Sequence, residues 1–219
     1  MNHILVYGDS LSWGLIPTTR ERLSFEGRWP GVLEIGLNSA EHHVRVVEDC
    51  LNGRRTVWDD PFKPGRNGAQ GLAQRIESLT PLSLVVVMLG INDFQTMHQN
   101  DAWMSSQGLA VIINTIRQAP IEPGMQIPPI LIVVPPLPTT PKGAIAPKFI
   151  GCEHKSQGLV EAYKEVTAVH NCHFFDAGSV VSASEFDGVH LDADQHLILG
   201  WELVGVVSSL LKYYQRIER

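Results

Sequence analysis

The chain is short of several things, and each shortage removes a class of function. Its three cysteines, Cys50, Cys152 and Cys172, are odd in number and form no C-x-x-C pair. Neither a disulfide framework nor a zinc knuckle is expected from them. Lys and Arg total 17 against 23 Asp and Glu, a net charge of −6, and the densest basic spot is Arg54–Arg55. No basic stripe is available to neutralise a phosphate backbone, so nucleic acid is not an expected partner. The longest apolar run, Leu82 to Ile91, is broken by Ser83 and Gly90 and is too short to span a bilayer. Met1 to Gly8 has no cationic start and meets Asp9 at once, unlike a signal peptide. A cytoplasmic protein without membrane contact is the expectation. No G-x-G-x-x-G or P-loop pattern occurs, and no internal repeat or low-complexity tract.

What is present suits one globular domain over residues 1–219, with 44% hydrophobic and 18% charged residues. Strand-like runs alternate with helix-like stretches. Ile4–Tyr7, Val44–Glu48, Leu84–Leu89, Ile130–Val134 and His173–Phe175 read as strands. The third is continuous and β-branched, as a strand covered on both faces should be. Helices are predicted at Trp29–Leu37, Gly68–Leu79, Asp101–Ala119 and Gly158–His170, with Asp101 near an N-cap. Asp192 reads as the N-cap of a final helix whose apolar face holds Leu197, Trp201, Val204 and Leu211. This order predicts an α/β fold, a parallel five-stranded sheet with helices on both sides. Its functional loops should follow the carboxyl ends of the strands.

Four such loops carry reactive residue types. Gly8-Asp9-Ser10-Leu11 puts a serine just past strand one, at a helix start, where its N–H can meet an anion; it is also a common turn. Asn52-Gly53-Arg54 follows strand two, and Gly53 can leave a backbone N–H bare for a ligand. Gly90-Ile91-Asn92-Asp93 follows strand three and offers the Asn92 amide as an oxyanion donor. Asp187-Gly188-Val189-His190 follows strand five, where the acid can fix the imidazole tautomer and free its other nitrogen as a base. Each loop alone also fits an ordinary turn. Together they supply a nucleophile, oxyanion donors, a base and an orienting acid at one rim, which acyl transfer requires.

These four blocks, in order, resemble those of the SGNH (GDSL) hydrolases. The flanking Gly8 to Gly14, Met88 to Asp93 and Phe174 to Ser179 are similar to the bacterial arylesterase/acyltransferase branch. The resemblance implies a flavodoxin-like three-layer α/β/α sandwich and ester hydrolysis without a cofactor or metal. It implies a triad of Ser10, Asp187 and His190, and an oxyanion hole from the Ser10 N–H, the Gly53 N–H and the Asn92 side chain. A small ester is the implied substrate, with acyl transfer to alcohols as a possible second outcome, and a homo-oligomer is implied by that branch.

Around the nucleophile, Asp9, Leu11 and Trp13 are candidate substrate-pocket residues, although Trp13 is equally suited to core packing. The proline-rich segment Pro135 to Lys155 is long enough to be a lid or an interface. Arg54, Arg55, Asp59 and Asp60 are expected to form a structural charge network. Two other readings remain open. Gly8-Asp9 and Gly90-x-Asn92-Asp93 loosely match a two-metal phosphoesterase, with Asp192, Asp194 and His196 as conceivable ligands. A non-enzymatic flavodoxin-like binding module has the same strand order. The α/β-hydrolase fold is disfavoured because no G-x-S-x-G surrounds Ser10.

Overall fold

A computed structural model describes residues 2–217. Five strands pair in parallel: β1 (Asn2–Gly8), β2 (Val44–Cys50), β3 (Leu84–Met88), β4 (Ile130–Val134) and β5 (His173–Asp176). Their order is β2-β1-β3-β4-β5. Ile4 stands opposite Val46 on one side and Leu84 on the other, so β1 is interior. β3 and β4 are buried along their whole length, which is why they read as unbroken Val/Ile/Leu runs. The chain steps from β1 out to β2 and then returns past β1 to β3. That reversal leaves a crevice beyond the carboxyl ends of β1 and β3.

The helices are α1 (Ser10–Trp13), α2 (Trp29–Ser39), α3 (Leu72–Leu79), α4 (Ala102–Arg117), α5 (Cys152–Lys155), α6 (Leu159–Val169) and α7 (Ala193–Ile217). α2 packs on α7, while α4 packs on α3 and α6, giving the three layers of an α/β/α sandwich. Asp101 caps α4 as expected, its carboxylate accepting from the Met104 N–H at 2.8 Å. α3 begins later than predicted. Gly68 is held in the preceding loop, its N–H donating to the Arg55 carbonyl at 3.1 Å.

The final helix is where the predicted packing face differs. Leu211 is buried, but Leu197 and Trp201 are 43% and 55% exposed. The stripe that seats in the core is Leu199, Leu203, Val207 and Leu211. α7 carries apolar residues on several faces, so spacing alone selects no unique stripe. The same composition makes Ala193–Arg216 long and apolar enough to cross a membrane by those two criteria. Here it is a helix with one buried side.

Pro135 to Lys155 is ordered rather than a plain loop. It contains a 3₁₀ helix, Gly143–Lys148, followed by α5. Its first half is strapped to the late loop: the Thr139 N–H donates to the Gly188 carbonyl at 2.9 Å and the Lys142 N–H to the Asp187 carbonyl at 3.0 Å.

Candidate active site

The loop after β1 turns directly into α1, a single helical turn closed by Gly14 in the left-handed conformation. Asp9 caps it, accepting from the Leu11 N–H at 2.9 Å. Ser10 is thereby held at the strand tip. The loop after β5 brings His190 to it, with Nε2 3.1 Å from Ser10 Oγ. On the other side of the ring, Nδ1 lies 2.6 Å from Asp187 Oδ2. The second carboxylate oxygen accepts from the Val189 and His190 N–H groups, both at 2.9 Å. Burial pushes the Asp187 carboxyl up, but the imidazole and these two N–H groups outweigh it and hold the group below its ordinary range. Ser10, Asp187 and His190 are all buried.

The loops after β2 and β3 face Ser10 across the crevice, and Gly53 and Asn92 line the same cavity as Ser10 and His190. Gly53 has φ +84°. Among the described residues, neither its N–H nor that of Ser10 donates to a protein acceptor. Asn92 Nδ2 donates to Asp9 Oδ2 at 2.8 Å, which leaves its second hydrogen free for the cavity. Burial pushes the Asp9 carboxyl up to about 6, opposed by the Leu11 N–H, the His190 charge and the Asn92 amide.

A buried polar network braces these donors. Arg55, fully buried, donates to the Gly53 carbonyl at 3.0 Å, to Asp60 at 3.1 Å and to Gln95 Oε1. Gln95 passes the constraint on, its Nε2 donating to Asn92 Oδ1 at 2.7 Å. Arg54 donates to the Gly8 carbonyl at 3.0 Å and lies 3.9 Å over the Tyr7 ring. Of the expected charge network only the Arg55–Asp60 pair forms among the described residues: Arg54 pairs with Asp49 at 2.6 Å instead, and Asp59 accepts from Gln70 at 3.4 Å.

Asp93 faces away from the cavity and ties two loops together. Its carboxylate accepts from the Thr56 N–H, the Thr56 hydroxyl and Ser105 at 2.7–2.9 Å. Gly90, before it, has φ +131°, and a Cβ there would lie 2.5 Å from the Tyr163 hydroxyl. Only glycine fits this turn.

The cavity beside Ser10 has a volume of about 220 Å³. Its lining differs from the residues predicted around the nucleophile. Asp9 and Leu11 are buried beneath it. Trp13 lies outside the lining, with the Arg22 guanidinium 5.0 Å over its ring. The apolar wall comes from Leu15, Ile145 and Phe149, and Arg20, Lys63 and Lys148 add three cations. Ile145, Lys148 and Phe149 belong to the Pro135 to Lys155 segment expected as a lid or interface, whereas Leu15, Arg20 and Lys63 come from other loops and have no motif around them. A larger cavity, about 560 Å³, opens at the opposite end of the sheet around Asn2, Ser83 and Ile130. The nucleophile–base pair of Ser10 and His190 is not there.

The residues weighed as metal ligands have separate partners. Asp192 accepts from Ser184 at 2.7 Å, and His196 Nδ1 accepts from the Trp29 N–H at 3.4 Å. Burial lowers the His196 imidazole to about 3, which keeps it neutral. Among the described residues no three metal-ligating side chains converge.

The profile of the GDSL-like lipase/acylhydrolase family matches residues 6–198. Among solved structures, a carbohydrate acetylesterase family member from Sinorhizobium meliloti is 36% identical with a TM-score of 0.90, over 97% of this chain and 100% of that one. An inhibitor-bound aryl esterase from M. smegmatis is 32% identical with a TM-score of 0.89, over 96% and 100%. A second carbohydrate acetylesterase from Sinorhizobium meliloti is 30% identical, with the same TM-score and coverage as the aryl esterase. A search of curated proteins finds no match.

Proposed function

The chain belongs to the GDSL-like lipase/acylhydrolase family, and from that membership we propose a serine esterase acting on small carboxylic esters through an acyl-enzyme on Ser10. The observation that carries the reading is the unbroken contact series from Ser10 through His190 to Asp187, facing Gly53 and Asn92 across one cavity.

In this reading His190 takes the Ser10 proton as Oγ attacks the ester carbonyl. Asp187 holds the imidazole in the required tautomer and stabilises its cation. The oxyanion is met by the N–H groups of Ser10 and Gly53 and the free Nδ2 hydrogen of Asn92. His190 then protonates the departing alcohol, and a water molecule activated by the same imidazole releases the acid. A cavity of about 220 Å³ favours a short acyl group. The acetylesterase and aryl esterase relatives support the same preference.

A fluorophosphonate probe should label Ser10 alone, and Ser10→Ala should lose both labelling and hydrolysis of p-nitrophenyl acetate. Label on another serine would overturn the assignment. Transfer to alcohols shares the acyl-enzyme and depends on which nucleophile reaches it. The wall of Leu15, Ile145 and Phe149 gives an alcohol an apolar surface beside Ser10 and limits ordered water. Vinyl acetate with benzyl alcohol in buffer should therefore yield benzyl acetate as well as acetate. Acetate alone at every alcohol concentration would confine the activity to hydrolysis.

A further inference from the structure

The chain as a whole is acidic, at −6, yet the cavity beside Ser10 is lined by three cations and no carboxylate. Arg20, Lys63 and Lys148 come from three separate segments. Arg20 is at the tip of a small hairpin, closed by a bridge between Leu15 and Arg22 and by the Arg20 N–H donating to the Ile16 carbonyl at 2.8 Å. The neighbouring Arg28 fastens this segment to the sheet through a two-pronged contact with Glu48, both bonds 2.6 Å. Lys63 follows Asp60 in the loop after Gly53, and Lys148 ends the 3₁₀ helix of the strapped segment.

These cations have no carboxylate of their own. Among the described residues, none of the three lies within salt-bridge distance of an acidic side chain, although six arginines and two histidines do. The carboxylates around the site are already engaged: Asp60 by Arg55 and the Phe62 N–H, Asp187 by His190, and Asp9 by Asn92 and Leu11. Lys148 is close to the reacting centre, since a methyl group placed on Gly53 would lie 3.8 Å from its Nζ. Desolvation and the Arg55 charge hold the Lys148 ammonium below its ordinary range; Asp60 opposes them, and Lys63 and Arg20 add to the lowering. The one carboxylate that acts on Lys148, Asp60, is bonded to Arg55 and leaves the cluster with excess positive charge, which an anion in the cavity relieves.

We propose that the preferred substrate is an ester carrying a negative charge, such as a carboxylate, which Arg20, Lys63 and Lys148 receive while the ester carbonyl sits between Ser10 and Gly53. The inference rests on the esterase reading of the same site and narrows its substrate class. Surface cations attract such a ligand chiefly through the field they share, so the preference weakens with salt.

Two pairs of esters test this and show which end carries the charge. 4-Acetoxybenzoate against phenyl acetate varies the leaving group; mono-p-nitrophenyl adipate against p-nitrophenyl hexanoate varies the acyl group. In at least one pair kcat/KM for the charged ester should be higher by roughly fivefold or more, the effect of a few partly screened charges. That ratio should shrink as NaCl rises and collapse in Lys63→Gln/Lys148→Gln. In Lys148→Glu it should invert, with acetylcholine then gaining on its neutral analogue 3,3-dimethylbutyl acetate. Equal or poorer turnover of the charged ester in both pairs, or a ratio unmoved by the double variant, overturns the anionic preference and leaves the esterase reading standing. Hydrolysis of neither member of either pair overturns both.

Discussion

Gln95 donates to the Asn92 side-chain oxygen Oδ1 at 2.7 Å, and with the Asp9 carboxylate that bond sets which end of the Asn92 amide faces Ser10. With Oδ1 occupied, Nδ2 is turned to Asp9 and the cavity, where a donor is wanted. Gln95 is itself oriented by the buried Arg55, which also grips the Gly53 carbonyl. One guanidinium thus steadies two of the proposed oxyanion donors from behind.

Removing the donor itself should slow chemistry without much affecting binding. Asn92→Ala is expected to lower kcat by roughly 10²–10³ with KM nearly constant, the usual effect of losing one oxyanion donor. Steady-state kinetics on p-nitrophenyl acetate reads this directly, and a loss below about fivefold would remove Asn92 from the role.

Gln95 acts through Asn92 and touches no substrate. Gln95→Leu should reduce kcat by about tenfold, since the amide loses its orientation and not its presence. In the Asn92→Ala background the same change should cost almost nothing further, because residues acting as a unit are not additive. Full additivity in the double-mutant cycle would show that Gln95 is merely structural.

Asp187 holds the imidazole by a 2.6 Å contact. Asp187→Asn keeps the size of the side chain but favours the wrong tautomer, so kcat should fall by about 10⁴. Circular dichroism should be unchanged, and His190→Ala added to it should deepen the loss little.

Gly90 has no room for a methyl group. Gly90→Ala should destabilise the protein by about 3 kcal/mol through backbone strain and the clash with Tyr163. Tyr163→Phe removes the clashing oxygen, so the alanine should cost less in that background. Urea titration of the four proteins measures the difference, and an equal cost in both backgrounds would locate the problem elsewhere.

Burial pushes the Asp93 carboxyl up to about 7 from an ordinary 3.8. Between those values the folded protein keeps a proton that the unfolded chain has released. The contribution of this group to stability is therefore fully present below 3.8 and is lost as pH rises through about 7. Asp93→Asn does not titrate. The Tm of the wild type minus that of the variant should fall across this interval in calorimetry, whereas a constant difference would mean that Asp93 is already ionised throughout.

The strands and the rim were legible because their signals are local. β3 and β4 are continuous apolar runs, and three of the four motif loops directly follow a strand, while Asp187–His190 comes later in the segment after β5. The cavity wall was legible only as a segment, Pro135 to Lys155, which supplies Ala144, Ile145, Lys148 and Phe149, and not as individual residues. Leu15, Arg20, Lys63 and Lys148 sit in connecting segments whose sequence has no period, and only tertiary folding carries them to Ser10. Trp13 is near Ser10 in sequence, but one helical turn swings it out under Arg22. The buried face of α7 escaped because its hydrophobic residues encircle the helix.

Ser10 and His190 meet although 180 positions separate them in the chain. The serine follows an interior strand, and the histidine arrives on a loop that begins at the edge strand β5. During synthesis the proposed nucleophile leaves the ribosome early and waits, without a base, until nearly the last tenth of the protein has emerged. On the proposed mechanism a truncated or half-folded copy has no base for Ser10, so reactivity doubles as a record that assembly has finished. On the same mechanism, peeling β5 from its edge would separate His190 from Ser10 while most of the sheet remained intact.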